Sequence, residues 1–413
     1  MMNSIKQFFK NLGPGLVTGA SDDDPSGIAT YSQAGAQFGL FTLWTAWITF
    51  PLMFAIQEMC ARIGITTQKG LISNIKQHYH ISIVYFTLLC SIPAIVLNIA
   101  ADLAAMGATT HLLIPTIPAV LFCLFYSIII LAMLFFFSYQ PIAQILKYFC
   151  LTLFLYFIVP FMVKQNWPDV LFHSVIPVIQ WNKKYFSILV AILGTTISPY
   201  LFFWQATMEV EQHRNAKKNR LEPENRLQKM RLDVGSGMLV SNLVMYFIIL
   251  TTGTILFHHG ITHIETVEQA AKALEPLAGK FSYLLFAMGI IGTGLLAIPV
   301  FASCISYLIT SSFNYKEGLN KKLHQAKLFY FVMTLSILLA IAINFLKISP
   351  IKALLYTAIL YGISAPPIIF IILLICNNKK IMRENVNGKW ANIFGILTFI
   401  LMSVAALLML YYI

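Results

Sequence analysis

The sequence predicts an all-α polytopic membrane protein of about eleven transmembrane helices, on three observations. Of 413 residues, 58% are hydrophobic and only 11% charged, with a mean hydropathy of +0.75; soluble domains carry about 25% charged residues. Apolar stretches long enough to cross ~30 Å of hydrocarbon recur along the whole length. Basic residues also segregate: with the N-terminus inside, 21 of the 28 Lys and Arg fall in loops on that side and 7 on the other, the asymmetry that orients membrane proteins.

The predicted spans are 12–40, 41–64, 81–110, 117–138, 143–163, 185–208, 232–257, 281–310, 327–346, 351–376 and 390–411. That bias puts the N-terminus in the cytoplasm, and an odd number of spans then leaves the C-terminus outside, in a cytoplasmic (inner) membrane. The longest loops, 209–231 and 258–280, leave no room for a soluble domain, and MMNSIKQFFKNLGPG lacks a cleavable signal pattern. The net charge of +12 then reflects topology and contact with anionic lipid, not nucleic acid. Cys60, Cys90, Cys123, Cys150, Cys304 and Cys376 lie in or beside the spans without CxxC spacing and read as small buried hydrophobes.

Span 1 carries GASDDDPSGIATYS (19–32), and span 6 carries GTTISPYLF (194–202). Each places a Gly, a short polar run and a Pro in sequence, and Pro breaks a helix by removing a donor and crowding the preceding turn. Backbone groups freed at mid-membrane must be satisfied by something. Broken helices at corresponding positions of two repeats point to a transporter's binding site. Two five-helix repeats, 12–163 and an inverted 185–376, would make spans 1 and 6 the same element, with 390–411 an additional helix. For span 6 alone, a simple proline kink explains the pattern equally well. It does not explain span 1, because a kink requires no carboxylates.

Each carboxylate at a helix centre costs at least ~2.5 kcal/mol. No basic residue lies in spans 1, 6 or 8 to offset Asp22, Asp23 and Asp24, so a cation is the natural counter-charge. Asp24 adjoins the break and is the expected ligand. Asp22 and Asp23 point elsewhere around the helix and are expected to surround the ligands or line the pathway.

Other features carry less. HHGITH (258–263) fits no standard metal spacing and reads as a solvated loop. Glu209 and Glu211 either line an exit or belong to the mixed-charge loop that runs to Arg231. Asn242 either contacts the site or bonds a neighbouring helix. Asp102 reads as a partner of Asn98 and nearby backbone more than as a proton relay. Pro366-Pro367 predicts a kink beside the core, and the many Phe residues read as lipid-facing bulk. No nucleophile–base pair, P-loop or zinc motif appears, so neither an enzyme nor an ATP-driven pump is expected.

GPGLVTGASDDDPSGIATYSQAGAQFG (13–39) resembles the first helix of the Nramp divalent-metal transporters, where Asp-Pro-Gly-Asn follows Gly-Pro-Gly. GTTISPYLFFWQ (194–205) is similar to that family's Met-Pro-His-Asn break, and Asp102-Leu-Ala to its Asp-Leu-Ala-Glu. The resemblance spans nearly the whole chain and implies a LeuT-like 5+5 inverted repeat working by alternating access. It implies ligands at Asp24, the carbonyls of Ser21 and Thr195, the Ser198 hydroxyl and the Gly27 position, with Tyr200 and Asp102 nearby.

The departures are informative. Gly27 stands for the family Asn, Ser198 for the Met, Tyr200 for the His, and Ala105 for the Glu after Asp102-Leu-Ala; residues 328–346 contain no charge where the family has arginines. This pattern resembles the divergent branch that includes magnesium transporters. Losing a thioether leaves an oxygen-only set suited to Mg²⁺ or Mn²⁺, and smaller residues suggest a roomier pocket. The expectation is import of Mn²⁺ or Mg²⁺ without obligatory proton coupling. The metal is cargo, no cofactor or obligate protein partner is implied, and the bilayer is the surroundings. A proton-coupled manganese or iron symporter, an amino-acid or sodium symporter of the same fold, and a non-transporting metal sensor remain the alternatives.

Overall fold

The computed structural model describes residues 13–136, 155–216, 223–346 and 348–412, which are helical with no strand. The main helices are α1 (Pro14–Asp22), α2 (Pro25–Phe38), α3 (Trp44–Thr67), α4 (Ile81–Leu113), α5 (Ala119–Phe136), α6 (Leu155–Met162), α7 (Lys183–Thr196), α8 (Pro199–Ala216), α9 (Pro223–Ile255), α10 (Ser282–Ser312), α11 (Lys327–Asn344), α12 (Pro350–Asn377) and α13 (Lys389–Tyr411). Among the described residues, nine helical stretches are long and apolar enough to cross a membrane. The first predicted span, 12–40, is not among them, whereas the sixth is, taken across its break as Lys183–His213. Of the fifth, 143–163, only the part from 155 is described; Lys147 and Cys150 lie outside the described residues.

Both predicted breaks are present. α1 gives way to α2 at Asp23 and Asp24, and α7 gives way to α8 at Ile197 and Ser198. Pro25 and Pro199 each open the second piece, where a missing N–H costs nothing and the fixed φ suits the first helical turn. Pro366 and Pro367, expected to kink a helix, lie inside an uninterrupted α12. The predicted loop 209–231 is largely helix: α8 runs on to Ala216, and α9 starts at Pro223. Glu, Arg, Lys and Leu are strong helix formers, and Met230 and Val234 turn one face of this extension inward.

Polarity is arranged for a bilayer. Leu89, Ile128, Phe331 and Leu407 face outward from α4, α5, α11 and α13, while Asp22, Asp23, Asp24, Asn98, Asp102, Gln205 and Glu209 are buried. Phe136 conforms to the lipid-facing expectation, but Phe202, Phe203, Phe301 and Phe329 are core residues. Cys60, Cys123, Cys304 and Cys376 are buried free thiols and Cys90 is half-buried. α9 lies along both pieces of the first span. Glycines make this possible: a Cβ at Gly15 would strike the Val234 backbone, one at Gly19 the Gly237 backbone, and one at Gly35 the Gly253 backbone.

Candidate functional site

At the first break Asp24 takes extended backbone, φ −70° and ψ 172°, and caps α2 by accepting the Gly27 N–H on Oδ1 at 2.7 Å. Asp is among the best residues for this position because its side chain satisfies a donor that the helix leaves free. The other oxygen, Oδ2, accepts the Asn98 amide from α4 at 2.7 Å. Asp24 is therefore held on both oxygens, with 2% of its surface exposed.

At the second break the Ser198 hydroxyl donates back to the carbonyls of Gly194 (3.0 Å) and Thr195 (2.6 Å). Two tyrosines join the breaks. The Tyr200 hydroxyl donates to the Ser21 carbonyl at 3.0 Å, and the Tyr31 hydroxyl pairs with Thr196 Oγ1 at 3.2 Å. Tyr200 also packs edge-on against Phe301 and lies 5.6 Å from the Tyr361 ring. The structure thus brings together Asp24, Ser21, Gly27, Thr195, Ser198 and Tyr200. The expected roomier pocket is not open at Gly27, where a Cβ would meet the Asp22 carbonyl at 3.2 Å and the Tyr31 ring at 3.4 Å. Helix backbone and ring occupy the space that a missing side chain would release.

The remaining sequence-predicted residues divide. Ser241 on α9 donates its hydroxyl toward Asp22 Oδ2 (2.8 Å) and Asp23 Oδ1 (3.2 Å). Asn242 faces the other way: its Oδ1 accepts from Thr49 at 2.7 Å and its amide donates to the Met238 carbonyl at 2.9 Å, so it fastens α9 to α3 and stays out of the site. Asp102 is fully buried, yet neither carboxylate oxygen has a hydrogen-bond partner. The expected bond from Asn98 to Asp102 is absent, because that amide is committed to Asp24. Among the described residues none of Asp22, Asp23, Asp24 and Asp102 forms an ion pair. No three His, Cys, Asp or Glu side chains among them converge as a ready-made metal cage. A cation here would have to draw on backbone and amide oxygens as well as carboxylate.

Polar bonds lie on both sides of the breaks. On one side the Gln33 amide donates to the Thr262 carbonyl at 3.1 Å and accepts the Ile264 N–H at 2.9 Å. On the other, Thr18 donates to Gln205 at 2.5 Å, Gln205 donates to Glu209 at 3.1 Å, and Arg226 donates to the Glu209 carbonyl at 3.1 Å. Asp233 closes the start of α1 by accepting the N–H groups of Gly13 (3.0 Å) and Gly15 (2.6 Å). Glu209 is thus a buried bonded residue, not part of a solvated loop. Glu211 is likewise engaged, by the Tyr307 hydroxyl, the Leu319 N–H and the Asn320 amide. His258, His259 and His263 are exposed, as expected of a loop.

Sequence reasoning missed Ser241, Gln205 and Tyr361, and gave Asn98 the wrong partner. The available signal was polarity within apolar spans, with Asn98 one helical turn from Asp102 and on the same face.

Comparisons with known proteins place the chain among relatives of known description. The divalent metal cation transporter MntH of Caldanaerobacter subterraneus subsp. tengcongensis is 27% identical over 401 residues, covering 95% of this chain and 90% of the relative. MntH of Clostridium acetobutylicum is 25% identical, covering 99% and 92%. The Eremococcus coleocola manganese transporter superposes with a TM-score of 0.77 at 17% identity, covering 97% of this chain and 86% of that one. Mhp1, a nucleobase-cation-symport-1 family transporter, superposes at 0.56 with 12% identity, covering 96% and 91%. The model of the Nramp family, described as natural resistance-associated macrophage protein-like, matches residues 15–412, and the chain belongs to that family.

Proposed function

We propose that this chain is a secondary transporter that imports divalent cations, Mn²⁺ or Mg²⁺ foremost, by alternating access. Its metal is cargo, it acts as a transporter and not an enzyme, and no cofactor is implied. The observation that carries the reading is Asp24: a buried carboxylate at the junction of two broken helices, with no cationic side chain paired to it among the described residues. The Ser21 and Thr195 carbonyls each keep a second lone pair beside the hydroxyl they accept, and with the Asp24 carboxylate, the Ser198 hydroxyl and water they give a hard, all-oxygen set at the Gly27 turn. Such ligands suit Mg²⁺ and Mn²⁺, and no thioether is there to favour softer ions. Asp22 and Asp23, sharing the Ser241 hydroxyl, line the path on one side of the break.

The polar bonds on both sides fit an occluded stage of a cycle that opens first outward and then to the cytosol. We assign the repeats as 12–163 and an inverted 185–376 in a LeuT-like arrangement, with 390–411 outside them; the two proline-initiated breaks and the likeness to Mhp1 support this. Basic-residue asymmetry supports an inner-membrane location with the N-terminus cytoplasmic and the C-terminus outside. An inside-negative potential contributes ~2.3 kcal/mol per charge per 100 mV, so a divalent ion accumulates without a co-transported proton. The uncharged 328–346 helix, Ala105 and Tyr200 leave Asp102 without a partner to relay to.

Proteoliposome uptake under competition from Mg²⁺, Mn²⁺, Ca²⁺, Fe²⁺ and Cd²⁺, with a pH dye inside, tests both parts. Uptake competed best by Mg²⁺ or Mn²⁺, with no acidification beyond the control, is expected. Absence of divalent uptake by reconstituted, folded protein overturns the transport reading. Metal-dependent acidification that vanishes in Asp102→Asn overturns uncoupled transport and makes Asp102 a proton carrier.

A further inference from the structure

Asn98 is the residue whose position the transport reading leaves unexplained. It is fully buried on α4, and its Nδ2 reaches Asp24 Oδ2 at 2.7 Å, yet its Oδ1 has no partner. Leaving a buried amide oxygen unsatisfied costs about 1–3 kcal/mol, and folded proteins seldom tolerate it. The neighbourhood does not supply the missing donor. One turn along the same face, both Asp102 oxygens also lack partners, as does Asp22 Oδ1 at the break. A cluster of buried acceptors short of donors calls for a positive charge.

The geometry is right for that charge to sit between Asn98 and Asp24. An amide turned by half a rotation about its last bond exchanges oxygen and nitrogen with little change of shape. Asn98 Oδ1 would then stand where Nδ2 now stands, close to the 2.7 Å from Asp24 Oδ2. Two adjacent oxygens on an octahedral ion with ~2.1 Å bonds are about 3 Å apart, so one hard cation bridges the pair with a shift of a few tenths of an ångström. The same amide donates to the carboxylate in one orientation and ligates beside it in the other.

We propose that Asn98 is a direct ligand of the transported cation, turning its amide so that Oδ1 joins the Asp24 carboxylate on the ion. The inference rests on the assignment of the cargo to Asp24 and deepens it by naming a ligand from α4.

A ligand and a mere positioning group predict opposite results for one substitution. Asn98→Asp replaces the carbonyl by a stronger oxygen ligand but removes the N–H that donates to Asp24. Titration calorimetry with Mn²⁺ on full-length purified protein, with Asn98→Leu and Asp24→Ala in parallel, separates the two. For a ligand, Asn98→Leu weakens Mn²⁺ binding about 10–100-fold, the range for losing a metal-site partner, and Asn98→Asp binds at least as tightly as the parent. If Asn98→Asp binds as weakly as Asn98→Leu, Asn98 only holds Asp24 in place and the proposal fails. Should Asn98→Leu not fold, Asn98→Ala takes its place in the same comparison. If Asp24→Ala loses binding while both Asn98 variants match the parent, Asn98 alone is excluded. If Asp24→Ala binds normally, the site itself is elsewhere and this proposal falls with it.

Discussion

Asp24 caps α2, the proposed function also makes it a ligand, and a pair of substitutions can pull the two apart. In Asp24→Asn the remaining oxygen still accepts the Gly27 N–H, now bonded at 2.7 Å. The new amide nitrogen faces Asn98, whose Oδ1 has no partner and can turn to accept it. In Asp24→Ala both bonds vanish. The cap is worth about 1 kcal/mol, and the orphaned Asn98 amide costs about 1–3 kcal/mol more. Both variants remove the buried charge equally, so that term cancels between them. Asp24→Ala should therefore be about 2–4 kcal/mol less stable than Asp24→Asn, seen as a lower melting temperature in detergent. Cation binding should behave differently. Unit charges 4 Å apart attract by about 4 kcal/mol at an effective dielectric of 20, and a divalent ion doubles this before dehydration takes most of it back. A residue of about 2.7 kcal/mol is a hundredfold in affinity, lost in both variants alike. Calorimetry and liposome uptake read the second effect, melting the first. Mn²⁺ affinity in Asp24→Asn within threefold of the parent would refute the ligand role, and equal melting of the two variants would refute the capping role.

Two further outcomes follow from the breaks and the helix contacts. Ser198→Met places a thioether at the second break and should raise Cd²⁺ affinity relative to Mg²⁺; unchanged selectivity by calorimetry would mean that position 198 does not face the ion. Gly19→Leu drives a side chain into the Gly237 backbone. It should destabilise the protein by about 1–3 kcal/mol and stop uptake, whereas a normal melting temperature would show that this seam is not closely packed.

Much of the architecture was legible because its causes are local. The bilayer demands long apolar runs, and proline after a glycine and a short polar run stopped both helices where expected, while Pro366 and Pro367 without such a run did not, so both breaks could be placed within a residue or two. The site was legible only where chemistry is dictated by a motif. Asp24 stood out because a carboxylate beside Pro25 in an apolar span is costly and has no basic partner there. Asn98 could not be assigned, because the turn-by-turn spacing that pairs it with Asp102 is visible in sequence and the approach of α2 is not. Asn242 was ambiguous for the same reason, since which face of α9 meets α3 and which meets α1 is set by tertiary packing. The loop 209–231 was misjudged because charge density reads as solvent exposure, while Glu209 is buried against Gln205 and Arg226.

The glycine seam has a mechanical consequence. A broken helix invites the picture of a hinge, with one arm swinging about the unwound segment. Here both arms are splinted by one rigid rod: α9 is an unbroken 33-residue helix, and it touches α1 at Gly15 and Gly19 and α2 at Gly35 and Gly39, backbone against backbone. Contacts of that kind have no long side chains to stretch or repack, so they hold or separate as a unit. The break is therefore a fixed kink in a stiff strut, and the opening that the proposed alternating access requires would belong to whatever slides across it. The second break is the natural slider: α8 is tied across by a few polar contacts, Tyr200 to Ser21, Thr18 to Gln205 and Arg226 to Glu209, which can be broken one at a time.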